Sequence, residues 1–102
     1  MGEDKLTIEN VGQPGKSYRV DAAKFLDMKT VVLKVLPTEA PGMTVADLIA
    51  AVKPHLPEDL FPGGETAGWW VKAVQLDQEA KRVIARAKGS PVRLHRVQDG
   101  RG

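Results

Sequence analysis

Proline placement constrains this chain more than any other feature. A proline has no amide hydrogen and its ring collides with the preceding turn, so a regular helix does not run through one. Seven prolines cut the sequence into short pieces. Pro37 stops any helix that begins near Asp21, and Pro54 ends a second helix or sits in its distorted last turn. Pro57 and Pro62, with Gly63 and Gly64, rule out regular helix over 57–64. Pro14 and Pro91 fall in turn-like stretches. What remains is room for three short helices, with extended structure at each end.

The apolar spacing fills those pieces. Asp21 is a suitable N-cap, and Phe25, Met28, Val32, Val35 and Leu36 then recur at three- and four-residue steps, predicting a helix over 22–36. Residues 37–43 read as a loop. Thr44 and Asp47 have capping-box spacing, and Val45, Leu48, Ile49 and Val52 give a second helix its apolar face. Leu60 and Phe61 are expected to pin the 57–64 loop to the core. A third helix is predicted over 66–82, where a helical wheel groups Trp69, Ala73, Leu76, Ala80 and Val83 as the buried face.

Both ends read as extended. Leu6 and Ile8, then Tyr18 and Val20, alternate with polar neighbours around Gly12-Gln13-Pro14-Gly15, giving a hairpin or a loose arm over 1–20. Residues 83–86 and 92–97 form two strands about the turn 87–91, and the polar tail 98–102 is expected to fray. The predicted fold is α+β and winged helix-turn-helix-like, with an N-terminal extended arm or strand. The winged-helix-like domain spans 21–97, with three helices and a C-terminal two-stranded wing.

At 102 residues the chain is expected to be one domain with one core. It has no cysteine, which excludes disulfides, thiolate metal sites and cysteine nucleophiles. No apolar run approaches membrane-spanning length and the acidic start is not a secretory signal, so a cytoplasmic protein with no membrane partner is expected. Charge is uneven. Residues 81–102 hold Lys81, Arg82, Arg86, Lys88, Arg93, Arg96 and Arg101 against Asp99 alone, whereas the preceding residues are net acidic. Such asymmetry suits a nucleic-acid or other acidic partner, or else a solvated basic tail.

Several segments carry a resemblance. They are Tyr18-Arg19-Val20-Asp21-Ala22-Ala23-Lys24, Leu60-Phe61-Pro62-Gly63-Gly64, the run from Gly68-Trp69-Trp70-Val71-Lys72 to Leu76-Asp77, Glu79-Ala80-Lys81, and Pro91-Val92-Arg93-Leu94-His95. Over residues 17–96 the chain resembles a family of small bacterial proteins of unknown function. The resemblance implies a winged-helix-like fold and brings no activity or site residues, so function must be argued from the surface.

Catalytic signatures are weak. Gly15-Lys16-Ser17 lacks the earlier glycine of a phosphate loop, whose place is taken by Asn10, and Tyr18-Arg19-Val20 after it reads as extended. His55 and His95 are far apart in sequence with no carboxylate cluster beside them, and Glu58, Asp59 and Glu65 lack calcium-loop spacing. No serine sits in a nucleophile elbow. The expectation is a protein that is not an enzyme, with no cofactor, no metal and no small-molecule substrate.

Two binding surfaces remain. In the first, double-stranded DNA meets the third helix through Thr66, Lys72 and Gln75, while Lys81, Arg82, Arg86, Lys88, Arg93 and Arg96 on or near the wing meet phosphates. Asp77 and Glu79, and the few base-reading side chains on that helix, count against sequence-specific readout. In the second, Trp70, Val71 and Val74 form an exposed apolar face for a homodimer or an unknown protein partner, unless the N-terminal arm covers Trp70. The concentration of charge near the wing tips the sequence reading towards DNA.

Overall fold

The structure, a computed structural model, describes residues 5–97. The alternating N-terminal segments pair as a hairpin and not as a loose arm. Strand β1, Lys5–Glu9, runs antiparallel to β2, Ser17–Asp21. Leu6 lies opposite Val20 and Ile8 opposite Tyr18, so these four side chains share one face. Gly15-Lys16-Ser17 is the end of the turn and the first residue of β2, with Gly15 at φ +88°. The strand passes directly into a helix because the Asp21 carboxylate accepts the Lys24 N–H at 3.1 Å.

Helix α1, Ala22–Val35, buries Phe25, Met28, Val31 and Val32. Helix α2, Val45–Val52, is capped by the Thr44 hydroxyl, which accepts the Asp47 N–H at 3.1 Å. Pro54 sits in a single 3-10 turn, Lys53–His55, that closes α2. Residues 57–64 are held by Phe61, which is almost wholly buried, and end in a second 3-10 turn, Pro62–Gly64. Helix α3 is Ala67–Ala80, shorter than the predicted 66–82. Its end is a Schellman turn: the Arg82 N–H donates to the Glu79 carbonyl and the Val83 N–H to the Gln78 carbonyl. Arg82 occupies the left-handed position of that turn, at φ +65°.

The C-terminal hairpin, β4 (Ile84–Ala87) and β5 (Arg93–Arg96), is not two-stranded as expected. A short strand between the first two helices, β3 (Met43–Thr44), pairs with β5, giving the order β3-β5-β4. The sequence pattern places Met43 in a loop and Thr44 at a helix cap, and neither carries a strand signal. Gly42 permits the pairing, because a Cβ there would fall 1.8 Å from the Leu94 carbonyl oxygen. The predicted tail 98–102 lies outside the described residues, as do Asp99 and Arg101.

One core joins every layer. Ile8 and Val20 from the N-terminal hairpin share it with Phe25, Met28, Leu48, Val52, Phe61, Ile84 and Leu94. The orientation of α3 differs from the wheel reading. Ala67, Trp70, Val71, Val74, Gln75, Asp77 and Gln78 are buried, whereas Trp69 is 60% exposed. The helix is thus turned so that Ala67, Val71, Val74 and Gln78 face the core. A wheel places polar side chains outward, but on this helix Gln75, Asp77 and Gln78 turn inward. Here polar side chains find partners within the fold: Gln78 Nε2 donates to Asp77 Oδ2 at 2.8 Å and Gln75 Nε2 to Glu79 Oε2 at 2.8 Å, while Gln75 Oε1 is buried without a partner.

Asp77 also seats the N-terminal hairpin. Its fully buried carboxylate accepts the Glu9 N–H at 2.9 Å and the Lys81 ammonium at 2.7 Å, and the Val11 N–H donates to the Leu76 carbonyl at 3.2 Å. Hydrogen bonds to a charged group contribute about 1.5–3 kcal/mol each, and removing one partner leaves the other unsatisfied. Asp77→Ala is therefore expected to lower the unfolding free energy by about 2–3 kcal/mol, with Asp77→Asn milder. Urea denaturation checks this, and hydrogen exchange at the Glu9 amide should accelerate in the alanine variant. An unchanged Glu9 amide would contradict the seating role.

Candidate interaction surface

Rotating α3 places an unexpected set of side chains outward. Gly68, Trp69, Lys72, Ala73 and Leu76 form one wall of a groove of about 440 Å³. The other wall is the hairpin, with Ile8, Glu9, Asn10, Tyr18, Arg19 and Val20. The groove is aromatic at its mouth, where Tyr18 is 42% exposed and its hydroxyl donates to Gln13 Oε1. Trp69 stands edge-on to Trp70 with ring centroids 4.9 Å apart, and Trp70 in turn meets Phe61 edge-to-face at 6.4 Å. The exposed indole is thus supported from beneath by two buried rings. Lys72 supplies charge on the helix wall and has no ion-pair partner among the described residues, whereas the register turns the Glu9 and Arg19 side chains to the other face of the hairpin.

The side chains predicted to meet a protein partner are not available. Trp70 is 9% exposed, and Val71 and Val74 are fully buried beneath it. Trp70 is covered by Phe61 and Trp69, while the hairpin borders Trp69 instead. Trp69, expected on the buried face, had a signal for exposure in the sequence. Ala67, Val71, Val74 and Gln78 recur at steps of four, three and four, which is core spacing if one polar side chain is allowed inside.

The residues predicted to meet DNA are dispersed. Gln75 is buried and bonded to Glu79, so it cannot reach a base edge. Lys81 is tied to Asp77. Arg86 donates from Nε and Nη2 to the two Glu79 oxygens at 3.1 and 2.9 Å, and that hydrogen bonding, opposed in part by burial, raises its pKa above the ordinary guanidinium value. Thr66, Lys72, Arg82 and Lys88 are exposed, at the start of α3, along it, at its end and in the β4–β5 turn respectively. On the hairpin the cations part company. Arg86 is opposite Leu94 and Arg96 opposite Ile84, on the face that buries Leu94 and Ile84. Arg93 is opposite Ala87 on the other face, and its Nη1 reaches the Gly42 carbonyl at 3.5 Å.

His55 and His95 stay apart, one in the 3-10 turn after α2 and one on β5. Among the described residues no three His, Cys, Asp or Glu side chains are grouped to hold a metal ion, and no helix is long and apolar enough to cross a membrane.

Residues 5–94 match the model of a family of unknown function, DUF6958. The chain belongs to that family. The match begins with β1 and reaches Leu94 in β5, so both walls of the groove and the Gly68-Trp69-Trp70 segment lie inside the DUF6958 region. No curated protein and no solved structure matches the chain.

The two indoles can be told apart by fluorescence. Trp69→Phe leaves Trp70 as the single emitter and is expected to give a blue-shifted, acrylamide-protected spectrum; Trp70→Phe should give a red-shifted, readily quenched one. In denaturation, Trp69→Ala should cost under about 1 kcal/mol and Trp70→Ala about 3–5 kcal/mol. A reversed pattern would return Trp69 to the core.

Proposed function

We propose that this chain is a winged-helix-type interaction domain that takes a protein partner in the groove between α3 and the N-terminal hairpin. The scaffold reading is supported by the order of elements: three helices, a strand between the first two, and a hairpin after the third whose inner strand pairs with that early strand. On such a scaffold the outward face of the third helix is the one that enters the major groove in DNA-binding members. Here that face presents Trp69, Ala73 and Leu76, with Lys72 the one cation among the groove residues of α3.

The observation that carries the reading is the exposed Trp69 indole at the centre of that face. A large aromatic with a polar N–H, set among aliphatic side chains in a groove, is the kind of group that anchors protein interfaces. Base readout has no comparable support, because Gln75 and Gln78 face inward. Phosphate contact by the hairpin has little, because Arg86 and Arg93 leave the sheet on opposite faces. Within the groove no nucleophile is paired with a base, so we read the domain as a binding module that needs neither cofactor nor catalysis.

Two parallel assays test this. Randomised displayed peptides are selected on the wild-type domain and counter-screened on Trp69→Ser, and random-sequence duplex DNA is titrated by fluorescence anisotropy at low and physiological salt. We expect peptides that need Trp69, and DNA binding that is weak, falls steeply with salt and ignores the Trp69 substitution. Duplex binding that persists at physiological salt and is lost in Lys72→Ala/Arg93→Ala would instead establish the DNA reading.

A further inference from the structure

Resting on that reading, we infer that the partner segment is an extended strand that pairs its main chain with the outer edge of β2. Glu9 decides which edge of the hairpin is open. Its N–H donates to the Asp77 carboxylate and the Val11 N–H donates to the Leu76 carbonyl, so the outer edge of β1 is closed by α3. The same donation fixes the phase of the ladder. In an antiparallel pair, facing residues alternately exchange hydrogen bonds and point their polar groups away from each other. Since the Glu9 N–H leaves the hairpin, Glu9 and Ser17 are a pair that points away, and so are Thr7 and Arg19. The pairs that exchange bonds are Ile8 with Tyr18 and Leu6 with Val20.

The backbone N–H and C=O groups of Ser17 and Arg19 therefore point outward from β2, and they have no hydrogen-bond partner among the described residues. Ser17, Tyr18 and Arg19 are all exposed. An extended segment laid alongside can use both donors and both acceptors, as in strand addition to a sheet edge. A helix cannot, because its own amides are engaged within it.

The side chains at the edge select the strand. Successive residues alternate between faces, so Tyr18 lies on the groove face and Arg19 on the opposite one. The added residue beside Tyr18 turns its side chain to the face where Tyr18 and Trp69 line the groove, and an apolar group fits there. The added residue beside Arg19 turns to the other face. Arg19 has no ion-pair partner among the described residues, and its neighbour across the hairpin is the uncharged Thr7. A carboxylate matches it, whereas a lysine is repelled. A second β2, antiparallel about Tyr18, would set Ser17 against Arg19 and leave that charge unmatched. The occupant is thus an extended segment of another protein in which apolar and acidic residues alternate.

Hydrogen exchange and backbone methylation test the inference, with peptides selected on the wild-type chain for dependence on Trp69. In the free chain the Tyr18 and Val20 amides should be protected, and those of Ser17 and Arg19 should exchange readily. Saturating peptide should slow exchange at Ser17 and Arg19 by about tenfold or more. Methylating the peptide one backbone nitrogen at a time should weaken binding by about tenfold at alternate positions and little between them, since only every second amide faces β2. Arg19→Glu, at an exposed position, should weaken acidic peptides by about tenfold and favour versions in which lysine replaces glutamate.

Peptides that need Trp69 yet leave Ser17 and Arg19 exchanging readily, or that show no alternation on methylation, would overturn the strand while the groove reading stands. Protection of those two amides that grows with protein concentration in the absence of peptide would make the added strand a second copy and overturn a foreign segment. A selection that yields no Trp69-dependent peptide removes both the strand and the groove reading.

Discussion

The carboxylate of Asp77 has no exposure to water and must find its partners inside the fold. It finds them in three places: the Lys81 ammonium one turn along α3, the Gln78 side-chain amide, and the Glu9 backbone N–H of β1. The third makes a local helix contact into an architectural one. Glu9 and Val11 are fastened to the last turns of α3, so the hairpin lies along the helix and not away from it. The groove is the space left between two elements joined at one end. Its width follows from that fastening, and its lining follows from which side of α3 the fastening leaves uncovered.

The same acidic residues change what the basic C-terminal segment can do. Read along the chain, residues 81–97 look like a concentrated positive field. In three dimensions Asp77 engages Lys81 and Glu79 engages Arg86, so two of those charges are satisfied by the helix just before them. The strand pleat then sends Arg86 and Arg93 to opposite faces of the sheet. A sequence count of charge cannot register either effect, because one depends on where α3 ends and the other on register. Arg82 shows how closely these are linked: its left-handed backbone ends α3 two residues before the predicted boundary and sets the direction of β4.

Much of the fold was nevertheless legible. Asp21 and Thr44 start helices as their side chains suggest, and Pro37 and Pro54 mark the ends. These are local effects, decided within four residues of the group that causes them. The orientation of α3 is not local. Trp69 and Trp70 differ by ~100° on the helix, and either could have been inside. The choice fell to Phe61, which offers Trp70 an edge-to-face partner, and to buried partners that let Gln75, Asp77 and Gln78 turn inward. Strand β3 escaped for a related reason. Two residues carry no periodicity, and the pairing is set by the close approach of Gly42 to Leu94, which is distant in sequence and adjacent in space.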